Sequence, residues 1–153
     1  MNEKNLLRTV LYLHHKLERA ARESELSISQ YRMLYFLSKG SRRAVELAME
    51  GSIRKPSITA LINTLEKRGY IERQESAEDR RAQDIRLTSS GRQAMIDFEA
   101  DLQAELSSFL GEEALREADE MTAPLYEAWN SRKRAEYANW VNRSGRRKAT
   151  TAS

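Results

Sequence analysis

Apolar positions recur at helical spacing through residues 5–22: Leu7, Val10, His14, Leu17 and Ala21 share one face, widened by Leu6, Leu11 and Leu13. The spacing predicts an amphipathic helix. Ser27 followed by Gln30 has the form of a capping box, opening a short second helix whose Tyr31, Leu34, Tyr35 and Leu37 make it apolar on most sides and therefore central. Gly40 ends it. Ser41 stands where a third helix needs a cap, and Val45, Leu47 and Ala48 carry that helix to Gly51. Pro56 suits the first turn of a fourth helix, where a missing N–H is harmless, and Ile58, Leu61, Ile62 and Leu65 follow as a tight stripe until Gly69.

Past Gly69 the period shortens. Ile71 opens a short extended run, and Ile85 and Leu87 alternate with Asp84 and Arg86 in a second, with a charged loop from Ser76 to Gln83 between them. Two short strands joined by an arginine-bearing loop and appended to helices outline a winged helix-turn-helix, a mainly α fold with a small β-wing. Thr88 can cap a long fifth helix in which Met95, Phe98, Leu102, Leu106 and Phe109 recur at helical spacing up to Gly111. Helix-favouring sequence resumes at Glu112, but Pro124 removes a backbone donor and predicts a break or kink, leaving a last helix near Leu125 to Val141. The chain from Asn142 is basic and lacks an apolar period, as a disordered tail does. The pattern therefore groups residues 1–25 with 93–141 as a helical region flanking a lobe at 26–92, with a tail at 142–153.

Composition removes several classes of function. The chain has 153 residues and no cysteine, so no disulfide, thiolate metal site or thiol nucleophile exists. Its two histidines, His14 and His15, are adjacent, and helix neighbours point about 100° apart, which leaves no histidine metal site on one face. No metal or cofactor is expected. Charges interrupt every apolar run well short of a membrane span or a secretory segment, and the chain reads as cytoplasmic. No nucleophile, base and orienting group can be assembled into an enzyme site. Charge is unevenly placed: residues 39–92 carry twelve Lys and Arg against eight Asp and Glu, whereas 93–130 carry one against ten. A basic middle beside an acidic stretch fits a surface that meets a polyanion.

The fourth helix supplies the chemistry. With Ile58 as reference, Leu61, Ile62 and Leu65 lie within about 60° of it on a helical wheel, and Pro56, Ala60, Asn63 and Lys67 lie opposite. The outward set is small or amide-bearing, flanked by Ser57, Thr59 and Thr64, and a thin helix of that kind can approach base edges in a major groove. Asn63 can pair bidentately with adenine, Ser57 and Thr59 can bond bases or phosphates, and Pro56 and Ala60 can pack on a thymine methyl. Arg54 and Lys55 stand before the partial positive charge of the helix N-terminus and suit phosphate; Ser41, Arg42, Arg43 and Arg73 are further phosphate candidates. In the loop, Asp79 can orient Arg80 and Arg81 toward a minor groove. The plainer alternative makes these arginines partners of Glu75, Glu78 and Asp79 in solvated ion pairs.

Three segments, LSISQYRMLYFL, AVELAMEGSIRKPSITALINTLEKRGYIER and EDRRAQDIRLTSSG, resemble the MarR family of transcription regulators over residues 26–92. The resemblance implies a homodimeric winged helix in which Pro56 to Arg68 enters the major groove of double-stranded DNA and Asp79 to Arg81 reach the minor groove. It implies that the terminal helices interlock two subunits at a pseudo-palindromic operator, and that the protein is a repressor released by a small, often aromatic or anionic, effector. Trp129, Trp140, Tyr126 and Tyr137 suit such a dimer interface. The sequence departs from the family pattern at Arg54, where relatives carry a small polar cap. It also lacks a proline near the start of the wing loop.

His14 on the first helix, with Tyr31 and Tyr35 on the second, could give an effector pocket its polar handles; the plainer reading makes all three packing residues. A rival reading of the whole is a winged-helix module that binds protein without specific DNA binding.

Overall fold

Capping chemistry sets most of the element boundaries in the computed structural model, which describes residues 4–51, 55–76 and 82–143. Helix α1 spans Lys4–Glu23 and α2 Ile28–Ser38. Between them Ser27 Oγ accepts the Gln30 N–H at 3.2 Å and Gln30 Oε1 accepts the Ser27 N–H at 2.9 Å, closing two donors that a first turn leaves open. Helix α3, Ala44–Gly51, is not capped by Ser41 as its position implies. Arg43 holds the cap position: its N–H donates to Glu46 Oε2 at 2.6 Å and its carbonyl accepts the Glu46 and Leu47 amides. Ser41 is displaced because the next residue is extended. Arg42 exchanges two main-chain bonds with Ile85, at 3.1 and 2.8 Å, and these outweigh the single side-chain bond a Ser41 cap would make.

Helix α4 covers Lys55–Lys67, and strands β1 (Ile71–Glu75) and β2 (Gln83–Leu87) follow it. The strands pair antiparallel with Ile71 opposite Leu87, Arg73 opposite Ile85 and Glu75 opposite Gln83. Simple alternation would expose Asp84, yet it is only 8% exposed. The Arg42–Ile85 bridge lays residues 41–43 against that strand edge, bringing the Arg43 guanidinium to 3.9 Å from Asp84. Helix α5, Ser89–Leu110, starts where Thr88 Oγ1 accepts the Gly91 N–H at 3.0 Å, and it ends before Gly111.

Helix α6 runs without interruption from Glu112 to Arg143 with Pro124 inside it. This corrects the expected break and the expected start of the tail. Proline deletes the bond to the Glu120 carbonyl, but both residues are exposed, so water can satisfy that carbonyl. The surrounding Ala, Glu, Leu and Arg residues favour helix on either side.

The core gathers Leu26, Leu34, Leu47 and Leu65, each at most 1% exposed, with Ile58, Ile62, Ile71, Ile85 and Phe98. By its contacts the chain forms two units, residues 1–106 and 107–153. Ala21 and Phe98 belong to the same core as the winged lobe, so α1 and most of α5 join that lobe in the first unit. In the second unit Tyr137 and Trp140 stack with ring centres 6.4 Å apart. Among the described residues no helix is long and apolar enough to cross a membrane.

Candidate nucleic-acid interface

Helix α4 separates its two faces sharply. Ile58, Ile62 and Leu65 are between 0 and 3% exposed, which anchors one side, while Ser57, Thr59, Ala60 and Asn63 are exposed on the other. Lys55 and Pro56 occupy its first turn, and Arg54 lies outside the described residues. The exposed side is small and polar and stands on a fixed base. Such a face can approach a surface closely and exchange hydrogen bonds with it.

The far end of α4, expected at Gly69, is fastened by side chains that the sequence pattern does not single out. Gly69 leaves the helix at φ +72, and the Tyr70 N–H returns to the Leu65 carbonyl at 3.0 Å. Arg68 donates to the Glu25 carbonyl oxygen at 2.7 Å and to the Tyr70 hydroxyl at 3.2 Å, and that hydroxyl donates to Glu25 Oε2 at 3.0 Å. Burial, reinforced by the bond to Glu25, raises the Tyr70 pKa above 10.0. Glu25 sits between α1 and α2, so the clasp joins their turn to the end of α4.

Asn63 is also held. Its Oδ1 accepts a hydrogen bond from Arg73 Nη2 at 2.8 Å, and Arg73 Nη1 lies 3.1 Å from Glu66 Oε2. The guanidinium of β1 thus bridges two side chains of α4.

The expected phosphate candidates have intramolecular company. Arg42 Nε faces Glu50 at 3.5 Å with both side chains 13% exposed, its Nη1 donates to the Ser41 carbonyl, and Arg43 faces Asp84. Asp79, Arg80 and Arg81, which fall between β1 and β2 in sequence, lie outside the described residues.

Tyr31 and Tyr35 lie together, their ring centres 6.1 Å apart, whereas His14 has Glu18 beside it. The His14 side chain is 59% exposed, 3.7 Å from Glu18. Tyr31 stacks on Phe98 at 5.1 Å and donates to Glu99 at 2.8 Å, while Lys39 lies over the Tyr35 ring at 4.7 Å. An open cleft of about 440 Å³ does lie between α1 and α2, but its walls run from Glu18 to Ser29 and include none of the three.

Apolar surface is left bare as well. On α1, Leu6, Leu7, Val10 and Leu11 are 53–71% exposed; on α6, Met121 and Leu125 are at least 70% exposed and Tyr126 and Trp129 are both 48% exposed.

Residues 24–82 match the model of the MarR family. No curated protein matches the chain in sequence. Among solved structures, it is similar to YusO from Bacillus subtilis, at 25% identity and TM-score 0.63, over 82% of this chain and 92% of that one. The transcriptional repressor CouR, bound to a 23-mer DNA duplex, matches at 24% identity and TM-score 0.59 over 82% and 92%. A point mutant of S. aureus MepR, bound to an oligodeoxyribonucleotide, matches at 20% identity and TM-score 0.60 over 86% and 98%.

Proposed function

We propose that the chain, whose residues 24–82 match the MarR family model, is a winged helix-turn-helix member of that family and a cytoplasmic, homodimeric transcription regulator that binds double-stranded DNA in a sequence-specific way. The observation that carries this reading is α4: its apolar side is locked into the core and its small polar side is exposed. Ser57, Thr59, Ala60 and Asn63 read base edges in the major groove. Arg54 and Lys55, beside the helix N-terminus, take phosphate, and Pro56 packs on a thymine methyl. Asp79 orients Arg80 and Arg81 toward the minor groove. CouR and MepR are both described bound to DNA, which supports the reading by likeness of fold.

The bare stripe of α1 and the bare apolar residues of α6 are the surfaces that a second copy covers. A dimer matches a pseudo-palindrome whose half-sites lie about one helical turn apart. In this reading Arg42 and Arg43, with Glu50 and Asp84 beside them, brace the lobe and leave phosphate to the other basic groups. The protein acts as a repressor, and a small molecule releases it. The cleft between α1 and α2 has room for such an effector.

A gel-shift titration against the DNA upstream of its own gene, with scrambled competitor and several salt concentrations, tests the function. A shift that survives competitor and weakens steeply with salt supports it. Equal affinity for scrambled duplex would refute sequence-specific binding.

A further inference from the structure

Asn63 stands in the middle of the exposed face of α4, but one side of its amide is already engaged. Arg73 Nη2 donates to Oδ1 at 2.8 Å while Arg73 Nη1 pairs with Glu66 Oε2 at 3.1 Å. An asparagine amide on a bare helix face turns over freely and can offer either its oxygen or its NH2 group to a ligand. Arginine carries donors only, so whichever way the amide is drawn, the atom that meets Arg73 must be the oxygen. Glu66 lies one turn beyond Asn63 on the same helix and holds the guanidinium by its other nitrogen. The amide therefore cannot turn over without breaking a charge-assisted bond.

We propose that Arg73, held by Glu66, is a positioning residue that makes Asn63 a hydrogen-bond donor toward DNA. This rests on the DNA-binding function above and replaces a phosphate role for Arg73. In the major groove guanine and adenine offer N7, guanine also O6, and thymine O4, whereas cytosine presents only the N4 donor. A fixed NH2 group accepts the first three bases and rejects cytosine. The helix thus reads its Asn63 contact as "not cytosine" in each half-site. Once the guanidinium is gone, the freed amide can turn its oxygen toward cytosine N4, and the rejection fades.

The test is selection from a library of random-sequence duplexes by the full-length protein and by Arg73→Lys, Glu66→Gln and Asn63→Ala. Arg73→Lys keeps the charge but cannot bridge amide and carboxylate with one planar fork. Asn63→Ala identifies the base pair concerned, since preference there disappears. At that pair the parent protein excludes cytosine; Arg73→Lys and Glu66→Gln weaken the exclusion about tenfold, with the slope of affinity against salt unchanged. Thermal melting of each variant verifies that the fold is kept. Unaltered exclusion of cytosine in both variants would overturn the inference while leaving the proposed function intact. So would a flatter salt slope for a further variant, Arg73→Ala, titrated on the selected duplex with base preference retained, which marks a phosphate contact. Failure of the parent to enrich any sequence would remove the proposed function, and this inference with it.

Discussion

Gly91 lies directly beneath Tyr70: a Cβ at position 91 would stand 2.0 Å from the Tyr70 carbonyl oxygen and 2.8 Å from a Leu87 methyl. That carbonyl also accepts the Thr88 N–H at 3.1 Å, and Thr88 Oγ1 donates to the Gly69 carbonyl at 2.6 Å. The start of α5 is therefore fitted onto the turn that ends α4, and only a residue without a side chain allows the fit.

Gly91→Ala should destabilise the protein by about 2–3 kcal/mol, because backbone rather than a flexible side chain must move to admit the methyl group. Urea unfolding measures it. A variant as stable as the parent would show that the contact between α5 and the turn is loose.

Tyr70→Phe removes the hydroxyl shared by Arg68 and Glu25. Burial raises the folded pKa of Tyr70 above its unfolded value of 10.0, so the neutral form is the one the fold favours. Its contribution is complete below pH 10.0 and is lost as pH rises through the raised folded value. Melting temperatures of parent and variant should therefore differ by a constant amount up to pH 10.0, with the parent losing ground to the variant as pH rises from there through the raised folded value. A difference independent of pH across the alkaline range would contradict the burial of the phenol.

Arg42→Ala should act on stability before it acts on DNA. The substitution leaves Glu50, 13% exposed, without its guanidinium partner at 3.5 Å, and a loss of about 2 kcal/mol follows. Replacing the pair together, with Arg42→Met and Glu50→Leu, should restore most of it. Normal stability with uniformly weaker DNA binding would return Arg42 to the phosphate surface.

Leu7→Glu places a charge in the exposed stripe of α1, where Leu7 is 61% exposed in the single chain. A twofold interface contains each substitution twice, so the dimer dissociation constant should rise about 100-fold or more, as sedimentation equilibrium would report. An unchanged association state would place the interface elsewhere.

These residues also mark how far the sequence alone could be read. Helices α1, α2, α4 and α5, their punctuation by Ser27, Thr88 and Gly111, and the two faces of α4 follow from local periodicity and capping, and each is found where the pattern places it. The Ser41 cap fails because its rival is Ile85, a main-chain partner far along the chain that no local pattern announces. Asp84 is buried for the same reason. Pro124 fails as a breaker because the rule describes a buried or weakly helical setting, and α6 is exposed and rich in helix formers. In the candidate site the residue types on α4 are legible, but their orientation is not. Arg73 reaches Asn63 across a helix-to-strand turn, and a position on β1 reveals nothing of which α4 side chains its guanidinium meets.

Dimethyl sulfate protection of the bound duplex, which reports guanine N7 in the major groove and adenine N3 in the minor groove, asks whether the small polar face of α4 lies against base edges. Two patches of protected N7 about one helical turn apart, weakened at one base pair in each by Asn63→Ala, are the predicted result. Binding with N7 left fully reactive, or protection confined to adenine N3, would contradict it.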